Sequence, residues 1–291
     1  MNREPLVSVV MAVFNGEKYL RAAIGSILCQ TMGNFELIIV DDGSTDQSRA
    51  MANSYQDARI RIIENGRNIG LAASLNKGID AARGAFIARM DCDDVSYPER
   101  LARQLEALQN EPALDLVATR AITINEDDHA TGLFPHAINH EEICARPWRG
   151  FHFPHPTWMG RTDWFRKHRY TVPGPYCSED QELLLRSYCD SRFGAVNEIL
   201  FAYRIRSKMD WKKLAKTRRT VLAAQWQYFS GSKLWHLALL AVVAFIVKTA
   251  GDLSKKLIGG VFQPGRSIED KAAVSAWQHV REDLAAECNV P

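Results

Sequence analysis

Short apolar segments and helix-like segments alternate along the first 120 residues, and this order restricts the fold more than any other feature of the chain. Residues 6–14 are β-branched and apolar, which is typical of a buried strand, whereas residues 17–29 have apolar side chains at helical spacing. Further strands are predicted at residues 35–40, 59–64, 85–90 and 114–119, and further helices at 46–55, 71–82 and 98–110. This alternation predicts an α/β fold with a Rossmann-like, mostly parallel sheet and helices on both faces.

Polar residues follow three of these strands at the point where each strand ends. Asn15 follows the first strand, residues 41–44 (DDGS) follow the second, and Asp91, Asp93 and Asp94 follow the strand at 85–90. Because the carboxyl ends of parallel strands meet at one edge of the sheet, ligands bind there. The sequence therefore predicts a polar cleft at this edge.

Three carboxylates within four residues repel one another unless a cation is present. Mg²⁺ and Mn²⁺ prefer oxygen ligands and accept a site that substrate phosphates complete, so Asp91, Asp93 and Asp94 indicate a metal–diphosphate site. The alternative is an Asp-rich turn that caps the helix beginning at Pro98. Residues 41–44 have a similar alternative as a turn and helix cap, and both alternatives stay open on spacing alone.

Other nucleotide sites are excluded by their motifs. The chain contains no Gly-x-x-x-x-Gly-Lys-Ser/Thr, and the turn after the first strand lacks Gly-x-Gly-x-x-Gly, so a P-loop enzyme or a dinucleotide dehydrogenase is not expected. With 46% apolar and 24% charged residues and a net charge of +2, we expect a folded chain without a nucleic-acid partner. The six cysteines are scattered, which favours a reducing compartment and a cytoplasmic protein.

The C-terminal part of the chain is both basic and apolar. Residues 201–260 contain 12 Lys or Arg and 2 Asp or Glu, whereas residues 1–200 contain 21 and 27. An amphipathic helix is predicted at 210–229, and the apolar run 237–247 follows it. This combination favours contact with a membrane surface; a buried core helix is the alternative.

The order of five sequence blocks resembles the inverting family 2 glycosyltransferases of the GT-A fold, of the bacterial surface-polysaccharide type. The blocks are VSVVMAVFNGEKYL, FELIIVDDGSTDQS, NIGLAASLNKGIDAARGAFIARMDCDD, HPTWMGR and SEDQELLLR, and they fall within the first 205 residues. The resemblance implies a nucleotide-sugar-binding half at 1–120 and a half that binds the acceptor and holds the catalytic base at 121–205. A helical, basic, membrane-associating extension at 206–291 lies beyond it.

The resemblance also implies roles for individual residues. Those expected to contact the donor are Ala12, Phe14, Asn15, Asp42, Gly70, Asp91 and Cys92. Asp93 is expected to ligate Mn²⁺ or Mg²⁺ directly, with Asp91 as the second metal ligand, whereas Asp94 is assigned to helix capping. Three further candidates are His155 for a phosphate or the metal, Trp158 for stacking on a sugar, and Arg204 for the diphosphate; His155 and Trp158 have ordinary loop and core alternatives.

The pair Glu179-Asp180 supplies the expected catalytic carboxylates, with Asp180 as the general base. In an inverting transfer an acceptor hydroxyl attacks the anomeric carbon opposite the leaving diphosphate, and a carboxylate must take the hydroxyl proton as the bond forms. Asp180 lies in a different chain segment from the metal ligands, which permits this arrangement.

The implied enzyme is a hexosyl- or N-acetylhexosaminyl-transferase that adds a single sugar, since the Gln-x-x-Arg-Trp motif of processive members is absent. A UDP-sugar is the first expected donor, and a saccharide or lipid-linked saccharide is the expected acceptor, in polysaccharide, O-antigen or other glycolipid assembly. Two alternatives are a sugar nucleotidyltransferase and a non-catalytic carbohydrate- or nucleotide-binding scaffold. The first would need a Gly-rich, basic loop after strand one, where Asn15-Gly16 stands instead.

Overall fold

The computed structural model describes residues 4–175, 177–206, 210–257 and 270–287. Within these residues nine strands form one sheet. The strands are β1 (Val7–Val13), β2 (Phe35–Asp41), β3 (Ile60–Glu64), β4 (Phe86–Asp91), β5 (Val95–Ser96), β6 (Leu116–Ile124), β7 (Ala130–Leu133), β8 (Met159–Arg161) and β9 (Phe193–Arg204). Their order is β3-β2-β1-β4-β8-β6-β9-β5, with β7 paired to β6.

Helices connect these strands and extend beyond the sheet. They are α1 (Leu20–Leu28), α2 (Ser48–Ser54), α3 (Leu71–Ala81), α4 (Arg100–Asn110), α5 (His140–Cys144), α6 (Thr162–Lys167), α7 (Glu179–Ser187), α8 (Trp211–Gly231), α9 (Trp235–Leu257) and α10 (Lys271–Glu287). Two short 3₁₀ turns lie at Pro147–Arg149 and His155–Thr157.

The first half of the sheet is parallel and sets the position of the predicted cleft. β1 pairs with β2 and with β4, so that Val13 lies opposite Asp41 and Ala12 opposite Asp91. Neighbouring residues of β1 belong to apolar clusters on opposite faces, Val9 in one and Val10 in the other, so the strand is covered on both faces. The carboxyl ends of β1, β2 and β4 therefore lie side by side, as predicted.

The second half of the sheet is mixed. β8 lies antiparallel between β4 and β6, β9 is parallel to β6, and the two-residue strand β5 is antiparallel to β9. The α/β class with helices on both faces is confirmed, but strands β5, β7 and β8 were not predicted, because two to four residues show too little periodicity.

The C-terminal extension is helical in its described parts. The side chain of Asp210 caps α8 by accepting hydrogen bonds from the amides of Lys212 and Lys213. α8 packs between α7 and α9. α10 packs against α1, in the part of the protein before residue 206, which we call the body. There Trp277 of α10 is buried, stacks on Tyr97 and donates a hydrogen bond to the carbonyl of Asp128.

One helix of the described part, α9, is long and apolar enough to span a membrane, over Trp235–Ser254, yet only 11% of that stretch is buried. Ala238 and Ala241 pack against the body, whereas Val243 and Val247 are exposed. The alternative of a fully buried core helix is therefore wrong: one face of α9 is covered and the other is open.

Candidate active site

A cleft of about 990 Å³ lies at the carboxyl ends of β1, β2 and β4. Most of the predicted site residues line it: Ala12, Phe14, Asp42, Gly70, Asp91, His155, Glu179 and Asp180. The cleft therefore joins the ends of the parallel strands to the N-terminus of α7.

Asp42 organises one wall of the cleft. Its carboxylate accepts hydrogen bonds from the side chain of Asn65 at 2.9 Å and from the amides of Ile69 and Gly70 at 2.8 and 2.9 Å. Gly70 has a φ of +93°, which favours glycine, and it precedes α3. The buried carboxylate thus holds the 65–70 loop in place as part of the cleft wall.

Two residues expected to contact the donor are placed elsewhere. Asn15 is not among the residues that line the cleft, because its carboxamide oxygen accepts a hydrogen bond from the amide of Thr45 at 2.8 Å. The side chain of Cys92 packs against the apolar cluster below the cleft, next to Gly16, and burial raises the pKa of its thiol. The structure therefore assigns turn formation to Asn15 and packing to the Cys92 side chain.

The carboxylates of Asp91, Asp93 and Asp94 form the predicted acidic cluster, with one oxygen of each within 4.8 Å of the others. Asp94 is buried; its Oδ1 accepts from the amide of Arg204 at 2.7 Å, and its Oδ2 has no hydrogen-bond partner. The assignment of Asp94 to helix capping is wrong, since α4 follows Glu99 and Asp94 instead completes the cluster. A buried carboxylate oxygen without a donor fits a cation site.

Crowding changes the protonation of this cluster. Burial and the neighbouring Asp91 carboxylate raise the pKa of Asp93 to about 6. Burial and the carboxylates of Asp93 and Asp91 raise the pKa of Asp94 well above its usual value. Such shifts are expected where carboxylates share a site with no cation. Carboxylates with raised pKa values release protons when a cation binds to them.

Arg89 is a functional candidate that the sequence analysis missed. It is buried on β4 and lines the cleft, with its Nη2 2.5 Å from Oδ1 of Asp91. Its Nε and Nη1 have no hydrogen-bond partner. Burial opposes its charge, but Asp91 and Glu179 favour it, and its pKa is raised overall. Spare guanidinium donors in a cleft suit an anionic ligand.

Arg204 has a different role from the predicted contact with a diphosphate. Its Nε donates to the carbonyl of Asp93 and its Nη1 to the carbonyl of Asn125, at 2.7 and 2.6 Å, while Nη2 pairs with Asp128. Its guanidinium also lies 4.0 Å from the centre of the Tyr19 ring. All of these contacts of Arg204 are within the protein. Arg204 therefore positions residues 91–94, the acidic turn that carries the cluster.

Glu179 and Asp180 begin α7 on the far wall of the cleft, and they have different environments. Burial and the adjacent Asp180 carboxylate raise the pKa of Glu179 to about 7. Burial also raises the pKa of Asp180, but the Gln181 side chain donates to its Oδ2 at 3.1 Å and lowers it. Gln181 is itself fixed by the amide of Phe151, at 2.8 Å. The ionised form is therefore better stabilised for Asp180 than for Glu179.

His155 lies between Glu179 and Tyr170 rather than in the acidic cluster. Its Nε2 is 2.6 Å from the Tyr170 hydroxyl and its Nδ1 is 3.9 Å from Glu179. Burial lowers the pKa of His155 well below its usual value, so the imidazole is neutral and is not a cationic phosphate partner. Trp158 is fully buried, so the prediction of sugar stacking is wrong and its core alternative is confirmed.

The extension contributes to the cleft as well. Lys213 and Thr217 of α8 line the same cavity as Asp91 and Asp180. Nothing in the periodicity of residues 210–229 indicates this contact, because it depends on how α8 packs against α7.

A parallel sheet edge with an acidic turn, faced by a carboxylate pair, defines a group-transfer enzyme of the α/β class. Residues 8–169 match the model of glycosyl transferase family 2. The chain belongs to this family and is a glycosyltransferase. An uncharacterized glycosyltransferase of Methanocaldococcus jannaschii is 32% identical over 88% of this chain and 93% of its own length. The O-antigen biosynthesis glycosyltransferase WbnJ of Escherichia coli is 36% identical over 71% and 82%.

Solved structures confirm the GT-A fold. Residues 1–349 of Staphylococcus aureus TarS superpose with a TM-score of 0.62 at 16% identity, over 97% of this chain and 81% of that one. A TarS complex with UDP-GlcNAc gives 0.59 at 18% identity, over 75% and 66%. The mannosyltransferase PcManGT of Pyrobaculum calidifontis, in complex with GDP-Man and Mn²⁺, gives 0.55 at 14% identity, over 98% and 86%.

Proposed function

We propose that the protein transfers one hexosyl or N-acetylhexosaminyl group, with inversion, from a nucleotide-diphosphate sugar to an acceptor hydroxyl. One observation supports this above all: Asp91, of the acidic turn, and the Glu179-Asp180 pair line the same cleft from separate chain segments. An in-line displacement needs a charge-stabilising group on one side of the anomeric carbon and a base on the other.

Asp180 acts as the base in this proposal. The hydrogen bond from Gln181 favours its ionised form, whereas Glu179, with a pKa of about 7, holds a proton more readily. Where two carboxylates share a proton, the one stabilised as an anion accepts the proton of the reacting hydroxyl. Glu179 then limits the negative charge beside the acceptor.

Asp91, Asp93 and Asp94 would hold Mn²⁺ or Mg²⁺. The unpartnered Oδ2 of Asp94 and the oxygen-only ligand set fit such an ion. When bound, the ion would neutralise charge on the departing diphosphate. Arg89 would add its two free donors to the same anionic group.

The donor is a nucleotide-diphosphate sugar, with a UDP-sugar as the first expectation. The structural relatives were solved with UDP-GlcNAc in TarS and with GDP-Man in PcManGT, which supports this donor class. Relationship to an O-antigen biosynthesis enzyme supports an acceptor that is a saccharide or a lipid-linked saccharide, in surface polysaccharide or glycolipid assembly.

Thermal stabilisation by candidate donors tests this function. UDP-, GDP- and dTDP-sugars would each be added to the full chain, with and without Mn²⁺. We expect one nucleotide class to raise Tm, by about 5 °C at a hundredfold excess over Kd, only with the ion present. No response to any nucleotide sugar, with either Mn²⁺ or Mg²⁺, would contradict the proposal.

We further propose that the protein binds the cytoplasmic face of the inner membrane through α9. The exposed apolar side chains of this helix recur at helical spacing and form one stripe: Trp235, Leu239, Val243, Ile246, Val247 and Leu253. The surrounding segment is strongly basic, and each cation near an anionic leaflet contributes about 1 kcal/mol.

Contacts on the other side of α9 favour a helix that lies along the membrane surface over one that spans it. Ala238 and Ala241 pack on the body, Lys248 donates to the carbonyl of Arg149, and Asp252 pairs with Arg218. These contacts extend over ~20 Å of the helix. A helix held to the body and to α8 over this length suits an in-plane position.

Flotation of the full chain with vesicles tests this arrangement. We expect binding to phosphatidylcholine vesicles only when they contain phosphatidylglycerol, and weakening by salt. Val247→Glu should reduce binding severalfold, because it places a charge in the stripe. The matched substitution Ile138→Glu, at an exposed apolar residue of the body, should leave binding unchanged. Equal loss in both variants would refute the role of α9.

A further inference from the structure

A second cavity, of about 220 Å³, lies between α8, α9 and the segment around the Pro147–Arg149 turn. Its volume equals that of about seven water molecules, room for a phosphate group and the first carbons of an attached chain. Part of its wall is apolar, formed by Leu214, Val221, Leu222 and Phe245. The cavity therefore differs from the donor cleft in both position and lining.

The rest of the wall is cationic. Arg149, Arg218 and Lys248 line the cavity, and the described residues that surround it include no carboxylate. Asp252, which does not line the cavity, pairs with Arg218 at a distance of 2.7 Å. Lys248 donates one hydrogen bond, to the carbonyl of Arg149, and an ammonium group has three donors. Such a set of cations beside an apolar wall suits an amphiphile with an anionic head.

The cations also lie close enough to affect one another. Burial, followed by the charges of Arg218 and Arg149, lowers the pKa of Lys248, and the Asp252 carboxylate opposes this shift only in part. Burial and the charges of Lys248 and Arg149 lower the pKa of His152 in the same wall. Positive groups that depress one another's protonation are stabilised when an anion enters between them.

The cavity adjoins the proposed catalytic base. Gln181 lines it and donates to Oδ2 of Asp180, which lines the donor cleft. Thr217 lines both cavities. The two cavities therefore adjoin at Thr217, and Gln181 links the second cavity to the base.

The other face of α9 supplies the route for an apolar tail. Ala241, Phe245 and Lys248 face the cavity, while Val243 and Val247 belong to the exposed stripe on the same turns of the helix. A ligand whose head lies at Lys248 can place its tail on the side where the stripe meets the membrane.

We propose that this cavity binds the phosphate-bearing head of a lipid-linked acceptor, between Arg149, Arg218 and Lys248, and so presents the acceptor sugar to Asp180. This inference rests on the proposed glycosyl transfer and identifies the acceptor as an anionic lipid. The other sources of the same chemistry are a free phosphate anion and the headgroup of a bulk membrane phospholipid.

Isothermal titration of the full chain in non-ionic detergent tests the assignment, with geranyl diphosphate as the probe. We expect Lys248→Gln to weaken its binding at least about tenfold, because a charge-assisted contact is lost. Arg219→Gln, the same charge change at an exposed residue of α8 outside the cavity, should leave binding unchanged. Geraniol and inorganic diphosphate should each bind far more weakly than the probe.

Several outcomes would overturn the assignment. Equal weakening in Lys248→Gln and Arg219→Gln would indicate general surface charge, and equally tight dihexanoyl-phosphatidylglycerol would indicate a bulk phospholipid site. Lys248→Gln is a valid test only if it keeps its Tm response to the nucleotide sugar. If it does not, Arg149→Gln is used as the test variant, because the exposed side chain of Arg149 can be changed with less effect on folding. If the wild-type chain responds to the donor but does not bind geranyl diphosphate, this inference alone is refuted. If it binds geranyl diphosphate but does not respond to any donor, the proposed function is refuted.

Discussion

Asp180→Asn is expected to reduce sugar transfer by about 10³-fold while the Tm response to donor stays at its wild-type size. The amide keeps the shape of the side chain but cannot accept a proton from the acceptor hydroxyl. Donor binding should persist, because the acidic turn lies on a different wall of the cleft. Initial rates of nucleotide release, measured with acceptor present, together with donor-dependent Tm, separate the two effects.

Glu179→Gln is the matched comparison, since it makes the same chemical change one residue earlier. We expect a smaller loss than in Asp180→Asn, because Gln181 stabilises the anion of Asp180 and not that of Glu179. Wild-type transfer should also decline as pH is lowered, from a higher pH than for an ordinary aspartate, since burial raises the pKa of Asp180. A larger loss in Glu179→Gln would reverse the assignment of the base.

Asp93→Ala is expected to eliminate the ion-dependent part of the donor response. Removing one of three clustered carboxylates leaves an incomplete oxygen set, and the donor diphosphate then loses its counter-charge. At a donor concentration of about a hundred times Kd, a loss of about 2.7 kcal/mol of stabilisation is expected. Tm with donor and Mn²⁺ should therefore fall to the value without Mn²⁺.

The same variant without ligands should melt no lower than the wild type, because the substitution relieves repulsion among Asp91, Asp93 and Asp94. Cys92→Ala is the control within the same turn. Its side chain packs into the core, so we expect a modest loss of stability and a full donor response. An ion-dependent response that survives in Asp93→Ala would show that these carboxylates do not hold the ion.

The fold was predictable where local pattern and burial agree. The strands of the parallel half were located to within two residues, because each is an apolar segment ended by polar turn residues. β8 could not be predicted, since its three residues enter the sheet only through pairing with β4 and β6. Such pairings depend on contacts between segments far apart in the chain, which periodicity does not report.

The site was predictable where chemistry is concentrated in a short segment. The acidic turn was found in this way, whereas Glu179-Asp180 was assigned only through the family resemblance. Arg89 had a signal that was not used: a charged residue within a buried apolar strand requires a partner. Gln181 had none, because its role arises from the side chains that surround it in three dimensions.

The return of α10 to the body has a consequence for exchanging parts between related enzymes. Trp277 packs in one apolar cluster with Tyr97, which directly follows β5, and with Ile122 of β6 and Ala202 of β9, all outside the extension. A chimaera joined at residue 205 would combine the sheet of one parent with the α10 helix of another. Mismatched surfaces around Trp277 would then destabilise a body that is otherwise intact. An exchange of parts with a related enzyme must therefore move α10 together with β5, β6 and β9, or leave all four unchanged.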